Sequence, residues 1–517
     1  MRTPVQPRTG SQTTTVQSIP APIGGWNTRD PLAAMNPMDA VELNNWFPTT
    51  TDVVTRRGHE AHATGITGTT ETLAVYNGLN GTNKLFAVSD TDAYNVSSAG
   101  AGSAQSLTIT DGKFQTLNMG DGTNQWLMMF NGADAPKYYD GTSWVEVTGA
   151  TSPALTGVTP TTIIQGCEYG GRLYLIPKDS LSFWYLPANA VGGLALEFDL
   201  SGFADMGGYI MWAATWTFDG GDGVDDKIVF MTSQGQAIVY TGTNPSSAVT
   251  WARVGTYNLG KPIGRRSFIK YGGDLIAITQ NGAYPLSTTI ENYDINNKSA
   301  VTDKIEPTFT YASRTYGSNF GWEATLFHSE SAMIFNIPLS ATTSEQYVMN
   351  TITKAWCKFD SWNATTFAVF NDELYFGGST VVQKAWTGTA DLGSNIVCYG
   401  KSAFNNFGSV SQQKRWTLFR PMLQVNGAIG FKTDMDIDFS DRPITGTATY
   451  TTTAASTWDV AKFDEGFWTA TLEIVRAWTS PDSNVGYYAS GKVKIDTNST
   501  RVHWVASDYT FEQGGIL

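Results

Sequence analysis

Short apolar runs, each followed by turn residues and a second apolar run, recur through residues 71–399. Turn residues between two such runs are typical of antiparallel hairpins. Several runs, such as LYLI and KIVFM, are apolar at consecutive positions, which indicates strands buried on both faces. The paired runs lie at Asn83–Val96, Asn124–Gly141, Gly170–Leu186, Asp226–Gly242, Gly272–Ser287, Ser331–Asn350 and Asp372–Trp386.

The spacing of these pairs predicts the architecture. With one apolar anchor per pair, from Leu85 to Leu374, the spacings run from 41 to 58 residues. A period of roughly 40 to 50 residues with several short strands is typical of a β-propeller. We therefore expect an all-β fold with a β-propeller of six or seven blades over residues 66–398. A pair of irregular β-sandwiches is the alternative.

The pattern changes after Trp386, and a second β-rich region follows. We expect this region, residues 399–517, to form a platform domain. At the other end of the chain, we expect residues 1–65 to form an arm. The 52 glycines and the 13% aromatic content agree with strands and tight turns rather than helices.

The charge is unevenly distributed. The net charge is −13, and residues 71–399 hold 17 basic and 29 acidic groups, a net −12. An acidic surface does not bind nucleic acid by releasing counterions. Solubility alone is the simpler explanation of this excess.

Candidate chemistry is sparse. Cys167, Cys357 and Cys398 have no paired spacing, so we expect neither disulfides nor a CxxC metal motif, and folding in a reducing cytoplasm. His59 and His62 lack a third metal ligand nearby, and DGGDGVDD lacks the order of an EF-hand loop. No nucleophile elbow, P-loop, secretion signal or long apolar run is present. We expect no enzyme activity, no cofactor, no metal and no membrane span.

Two clusters in the platform region have alternative interpretations. Asp434, Asp436 and Asp438 share one face of a predicted strand by its period of two. An exposed strand face is the simpler interpretation, and an acidic lining of a wet channel is the other. The cluster of Lys414, Arg415 and Arg420, flanked by Trp416 and Phe419, combines cations with aromatics, which favours a subunit contact over nucleic-acid binding.

Four segments carry a resemblance to a known family: GGWNTRDPLAAMNPMDAVELNNWFP, VVTRRGHEAHATG, KRWTLFRP and the terminal GGIL. Together with the propeller-like middle, they resemble the tail nozzle proteins (tail tubular B or tail stabilisation proteins) of short-tailed bacteriophages. The specific motifs lie at the two ends of the chain, and the middle matches by architecture only.

The resemblance implies a structural virion protein, made in the host bacterial cytoplasm and built into the phage tail. Six copies would form a ring below the tail adaptor ring, with a tail fibre or tail-tip protein as a further partner. Double-stranded DNA would be retained in the ring's channel and pass through it without specific binding. Channel-lining candidates are Asp434, Asp436, Asp438, Asp222, Asp225 and Asp226.

In that setting residues 1–65 are interpreted as a docking arm. Asn36 is expected to cap a short helix that begins at Pro37, and Trp26, Trp46 and Phe47 would anchor the arm to the platform domain or a neighbouring subunit. A plain cap on the propeller is the alternative.

The second functional hypothesis is a carbohydrate-binding, receptor-binding propeller. The 17 tryptophans would suit sugar stacking, but no catalytic carboxylate pair has a recognisable context.

Overall fold

The computed structural model describes residues 14–218, 225–291, 300–444, 447–450, 473–475, 477–480 and 485–516. The chain divides into two compact units. Unit 1 comprises Met1–Gly58, Ile352–Lys358 and Gly388–Leu517, and unit 2 comprises His59–Thr351 and Phe359–Thr387. The expected boundaries at residues 65 and 398 therefore differ from those of the structure, because the chain leaves unit 1 at Gly58, contributes Ile352–Lys358 to it, and returns to it again at Gly388.

The N-terminal segment of unit 1 consists of short strands: β1 (Thr14–Pro20), β2 (Gly25–Trp26), β3 (Asp39–Asn44), β4 (Trp46–Pro48) and β5 (Val53–Thr55). The predicted helix at Pro37 is wrong. Asn36 instead stabilises a single turn, since its Oδ1 accepts the Met38 N–H at 2.9 Å, and β3 begins directly afterwards. One turn satisfies Asn36 without the further residues that a helix would need to be stable.

The middle of the chain is a series of mostly antiparallel sheets. In chain order its strands are β6 (Gly58–Thr64), β7 (Thr72–Tyr76), β8 (Lys84–Val88), β9 (Ala93–Asn95), β10 (Gly100–Ala101), β11 (Ser103–Gln105), β12 (Gln115–Gly120), β13 (Gln125–Phe130), β14 (Lys137–Tyr139), β15 (Trp144–Glu146), β16 (Leu155–Thr156), β17 (Ile163–Tyr169), β18 (Arg172–Pro177), β19 (Ser182–Tyr185), β20 (Gly193–Leu194), β21 (Leu196–Asp199), β22 (Ile210–Phe218), β23 (Asp225–Thr232), β24 (Gln236–Gly242), β25 (Trp251–Asn258), β26 (Phe268–Tyr271), β27 (Asp274–Thr279), β28 (Gly282–Pro285), β29 (Glu323–Phe327), β30 (Ala332–Pro338), β31 (Ser344–Asn350), β32 (Trp356–Phe359), β33 (Thr366–Phe370), β34 (Glu373–Gly377) and β35 (Val382–Thr387).

Unit 2 is a β-propeller, as predicted. Within the described residues seven successive sheets form its blades, with first strands β7, β12, β17, β22, β26, β29 and β33. Neighbouring blades contact one another around the ring, and β33 packs against β7 to close it. The seventh blade, β33–β34–β35, is completed by β6 from the start of the unit. Each hairpin predicted from the sequence is the second and third strand of one blade.

Burial on both faces explains the apolar runs. In β8, Leu85 and Ala87 join an apolar cluster with the seventh blade, while Phe86 and Val88 join a cluster with the second blade. Further around the ring, Phe183 and Phe230 of the third and fourth blades stack with ring centroids 4.5 Å apart. Consecutive side chains on one strand thus pack on two different neighbours.

Within the part of the chain that the structure describes, two α-helices interrupt the blade pattern, α1 (Leu286–Glu291) and α2 (Glu306–Tyr316). Both belong to the connection between the fifth and sixth blades. Neither helix was expected from the sequence, because α2 buries only a few side chains, including Phe309 and Ala312, and its apolar periodicity is weak. Short 3-10 turns occur at Leu79–Gly81, Pro160–Thr162, Ser201–Phe203, Asp303–Ile305 and His328–Glu330.

The C-terminal strands of unit 1 are β36 (Ile396–Ser402), β37 (Gln412–Val425), β38 (Ile429–Ile437), β39 (Thr447–Tyr450), β40 (Glu473–Val475), β41 (Val485–Gly486), β42 (Ala489–Thr497) and β43 (Val502–Ile516). They form two sheets with the N-terminal strands. The terminal sheet has the order β4–β5–β43–β37–β40, with β1 also on β43 and β41 on β37. The second sheet runs β32–β3–β36–β42–β38–β39, with β2 on β3.

The two sheets of unit 1 pack against each other. The Tyr509 hydroxyl of the terminal sheet accepts the Gly491 N–H of β42 at 3.0 Å and lies 3.2 Å from the Ser402 hydroxyl. Burial raises the pKa of Tyr509 to about 12, so it stays a neutral phenol at physiological pH.

Candidate functional site

The candidate site is the terminal sheet, where the N-terminal segment meets the C-terminal strands. β1 pairs antiparallel with β43 along its whole length, from Thr14 opposite Glu512 to Pro20 opposite Ala506. β5 continues the same edge, with Val54 opposite His503. The strands β1 and β5 are therefore integral parts of this sheet rather than a separate arm.

The GGW motif allows a close backbone approach. Gly25 has a φ of 80°, and a Cβ there would lie 2.6 Å from the Trp356 backbone nitrogen. A side chain would thus be both strained and obstructed. Trp26 is buried beside it, and the Asn27 amide donates to Asp39 and to Asp30, each at 2.8 Å.

The NNWFP and TRRG motifs meet in the interior of unit 1. Trp46 is fully buried, and its ring centroid lies 5.8 Å from that of Trp504 on β43. Asn45, in the left-handed region at φ 57°, accepts the Arg56 Nε–H at 2.7 Å. The same guanidinium makes two hydrogen bonds to Asp391, at 2.9 and 2.6 Å.

Sequence reasoning missed the Arg56–Asp391 pair. Its side chains are 0% and 9% exposed, so the pair is a buried bidentate contact of the kind that Arg forms best. Arg56 lies within a quoted motif, but Asp391 has no local sequence signal because it is distant along the chain.

A second polar contact joins the two ends of the chain. His503 Nδ1 lies 2.7 Å from Asp52 Oδ2, and both side chains are partly buried. Burial alone would raise the pKa of Asp52, but the hydrogen bonds of its carboxylate with His503 and Thr49 outweigh burial and leave that pKa below its ordinary value.

The KRWTLFR segment lies in β37, where some side chains are in the core and others are at the surface. Trp416 is fully buried against Phe511 and Phe407, and Trp26, Trp46 and Phe47 are likewise buried. These aromatics are anchors inside one chain, so they are not available to a neighbouring subunit. Arg415, by contrast, is 61% exposed.

Arg420 is paired within the chain. Its guanidinium donates to Asp508 of β43 and stacks over the Trp478 ring at 4.3 Å. Arg420 also borders an exposed surface that includes Arg415, Leu418 and Val485.

The predicted channel lining by Asp434, Asp436 and Asp438 is wrong for the first two. Asp436 is buried between Lys492 and Lys401, each 2.7 Å from one of its oxygens. Asp434 is also buried, and its Oδ1 accepts the Met435 N–H. Lysines from β36 and β42 therefore neutralise what looked like an exposed acidic face.

Asp438 does not share that face. It follows the end of β38 in the left-handed region at φ 48°, and its Oδ1 accepts the N–H groups of Tyr487 and Tyr488. Of the propeller-loop candidates, Asp226 is exposed. Asp222 and the side chain of Asp225 lie outside the described residues.

A partly buried ion pair crosses the axis of the propeller. Arg266 Nη1 donates to Glu323 Oε2 at 3.0 Å, and its Nη2 donates to Thr72 Oγ1 at 2.8 Å and Phe114 O at 2.9 Å. Burial raises the pKa of Glu323, although Arg266 opposes the shift. A polar cavity of about 180 Å³ beside this pair is much too small for a nucleic-acid duplex.

In the described part of the chain no cluster of His, Cys, Asp and Glu could hold a metal ion. None of the helices described there combines the length and apolar character needed to span a bilayer.

No protein-family model matches the sequence, and no curated protein matches it. Among solved structures, BBS1N in complex with ARL6DN is similar over 65% of this chain and 99% of its own, at 12% identity and a TM-score of 0.38. YCF48 bound to D1 peptide is similar over 64% and 95%, at 12% identity and 0.37. Raptor from Chaetomium thermophilum is similar over 65% of this chain but 29% of its own, at 10% identity and 0.39.

Proposed function

We propose that this protein is a structural component of a phage tail, and that copies of it form the nozzle ring that retains the genome and then passes it into the host. The observation that supports this most directly is the exposed outer face of the terminal sheet. Arg415 lies opposite Val485 in the β37–β41 ladder, and Leu418 and Ile474 also point away from the core.

That face has the composition of an interface. Exposed apolar side chains beside Arg and Trp are typical of protein contacts rather than of solvated surface. Both edges of β43 are paired with other strands of the sheet, and the motif residues are buried. The backbone that carries this face is therefore held in place. The occupant that we propose is a second copy of this chain, with the adaptor ring and a tail-tip protein as further neighbours.

The conduit in this proposal lies between copies. Arg266 and Glu323 cross the propeller axis of a single chain, so DNA would not pass through it. Host-cytoplasmic synthesis, incorporation into the virion and the absence of enzyme activity are part of the same proposal. An acidic chain, with a net charge of −13, suits a conduit along which DNA slides without adhering.

The carbohydrate-binding alternative loses its main support. Among the described tryptophans, only Trp478 exceeds one third exposure, and Arg420 covers its ring. Most of the others pack inside the blades or inside unit 1, so their number does not indicate a sugar-stacking surface.

The test is assembly of the purified full chain, imaged by negative stain and weighed by mass photometry, with and without the adaptor protein of the same virion. We expect a ring of six copies. Leu418→Asp should abolish the ring and leave the circular dichroism and melting temperature unchanged. Val249→Asp, at a 93% exposed position of unit 2, is the matched control.

A wild-type chain that stays monomeric with its adaptor would contradict the proposal. So would a Leu418→Asp variant that assembles normally. Glycan-array binding by such a monomer would favour the carbohydrate-binding alternative.

A further inference from the structure

Three connecting segments of unit 2 enclose a cavity of about 310 Å³. They are residues 105–114, 258–267 and 317–322, which lead into the first strands β12, β26 and β29. The residues that give the cavity its chemistry are Asp111, Lys113, Arg265, Arg266, Phe320 and Trp322. A volume of roughly 300 Å³ is the lower end of the range for small-molecule pockets.

Arg265 is the cation with unused donors. Its Nη1 donates to the Asn131 carbonyl at 3.3 Å, and within the described residues it has neither another hydrogen bond nor a carboxylate at ion-pair distance. Burial lowers the pKa of Arg265, while Tyr209, Asp111 and Asp179 raise it from farther away. A guanidinium carries five N–H donors in a planar fork, and within the described residues only one of the Arg265 donors has a hydrogen-bond partner.

The other two cations, Arg266 and Lys113, differ in how strongly groups of the chain already hold them. Arg266 is held by Glu323, Thr72 and Phe114 across the propeller axis. Lys113 is 45% exposed, and its Nζ is 3.7 Å from Glu71, at the long end of an ion pair. Lys113 can therefore turn towards a ligand, whereas Arg266 is structural.

The aromatic wall of the cavity is fixed in place. The Trp322 indole N–H donates to the Tyr316 carbonyl and the Asn319 amide donates to the Pro338 carbonyl, both at 2.9 Å. Phe320 between them has Arg266 at 5.0 Å and Lys113 at 5.4 Å from its ring centroid. The site is thus formed before any ligand arrives, which reduces the ordering cost of binding.

We propose that this cavity binds a single carboxylate group, held by Arg265 and Lys113, with the body of the ligand against Phe320. A guanidinium fork matches a planar carboxylate with two parallel hydrogen bonds. Asp111 in the same lining disfavours a second negative charge, so the site selects monocarboxylates over polyanions. A free small acid and an acidic side chain on a peptide both present this chemistry. The inference does not depend on ring assembly.

The test is isothermal titration calorimetry on the full chain, with benzoate as the probe and benzamide as its neutral isostere. We expect benzoate to bind at least about tenfold more tightly than benzamide and than citrate. An acetylated Gly-Glu-Gly peptide, compared with Gly-Gln-Gly, distinguishes a partner side chain from a free acid. Binding of benzoate, of the Glu peptide, or of both supports the site.

Variants identify the residue responsible. Arg265→Gln should weaken binding of the responding probe at least about tenfold, and Arg265→Lys, which keeps the charge but loses the fork, should give an intermediate loss. Lys261→Gln removes an equal charge from the same connecting segment outside the cavity and should have no effect. Circular dichroism verifies that each variant is folded. Equal binding of benzoate and benzamide, no binding of benzoate or the Glu peptide, or unchanged binding in folded Arg265→Gln would overturn the proposal.

Discussion

At the scale of single residues, the Arg56–Asp391 pair should matter more than any surface charge. Removing one partner of a buried ion pair leaves the other charge desolvated, at a cost of about 3–5 kcal/mol. Arg56→Ala should therefore lower the free energy of unfolding of unit 1 by about that amount, measured by urea denaturation. Lys384→Ala removes a partly exposed pair with Glu373 and should cost about 1 kcal/mol or less. Equal losses in the two variants would contradict this assignment.

Asp52 makes part of the stability of unit 1 dependent on pH. The pKa of Asp52 is lower in the folded chain than its ordinary value. Its ionised form is therefore stabilised by folding, and this contribution is present above the unfolded pKa, about 3.9. It is lost as the pH falls through the lower, folded value. The difference in melting temperature between wild type and Asp52→Asn should be largest near pH 6 and should shrink towards pH 2. A difference that stays constant across this range would show that the carboxylate contributes nothing through its charge.

At the scale of elements, close contact between the two sheets of unit 1 depends on a missing side chain. A Cβ at Gly491 of β42 would lie 2.4 Å from the Phe419 ring and 2.7 Å from the Tyr509 hydroxyl. Gly491→Ala should thus destabilise unit 1 by about 1–3 kcal/mol through overpacking. Gly430→Ala, on the adjacent strand β38, meets no atom within 4 Å and is the matched control. Similar melting temperatures for the two variants would mean that the sheets are more loosely packed than described.

The blades were predictable from the sequence only where both faces of a strand are apolar. The second strands of the blades, such as β13 and β18, are buried between neighbouring blades and carry unbroken apolar runs. Some fourth strands, such as β21, are short and largely exposed, so they leave no clear pattern. The seventh blade is completed by β6, which is distant in sequence from the other strands of that blade. No local sequence pattern can reveal such a pairing.

The candidate site was predictable to a similar extent. Large aromatics near the start of the chain indicated burial, and Trp26 and Trp46 are buried. The alternation at Asp434 and Asp436 was misread because the neutralising residues, Lys401 and Lys492, come from other strands of the same sheet. Alternation along a strand predicts which side chains share a face of the sheet. It does not predict which residues from other strands cover that face.

At the scale of the whole molecule, the acidic excess can be tested separately from folding. Asp226 is exposed on the propeller, whereas Asp436 is enclosed by two lysines. In the nozzle proposal, Asp226→Lys particles should assemble and eject DNA more slowly at low salt, because a lysine attracts phosphates over a screening length of about 8 Å at physiological ionic strength. Asp436→Lys should yield no assembled particles, since it places three ammonium groups together. Ejection kinetics measured at two salt concentrations test this, and an unchanged rate at low salt would assign the charge of Asp226 to solubility.

The pairing of β1 with β43 sets an order of events during translation. A ribosome makes β1 first, and every strand of the propeller emerges before the partner of β1 exists. Domains fold as units while synthesis proceeds, so unit 2 has its whole sequence available by Thr387, whereas unit 1 lacks β43 until translation passes Ile516. The sheet whose outer face we assign to ring contacts is therefore completed after the propeller. A nascent chain that has not yet made β43 lacks this face, so the ring that we propose would form only from copies in which translation has passed that strand.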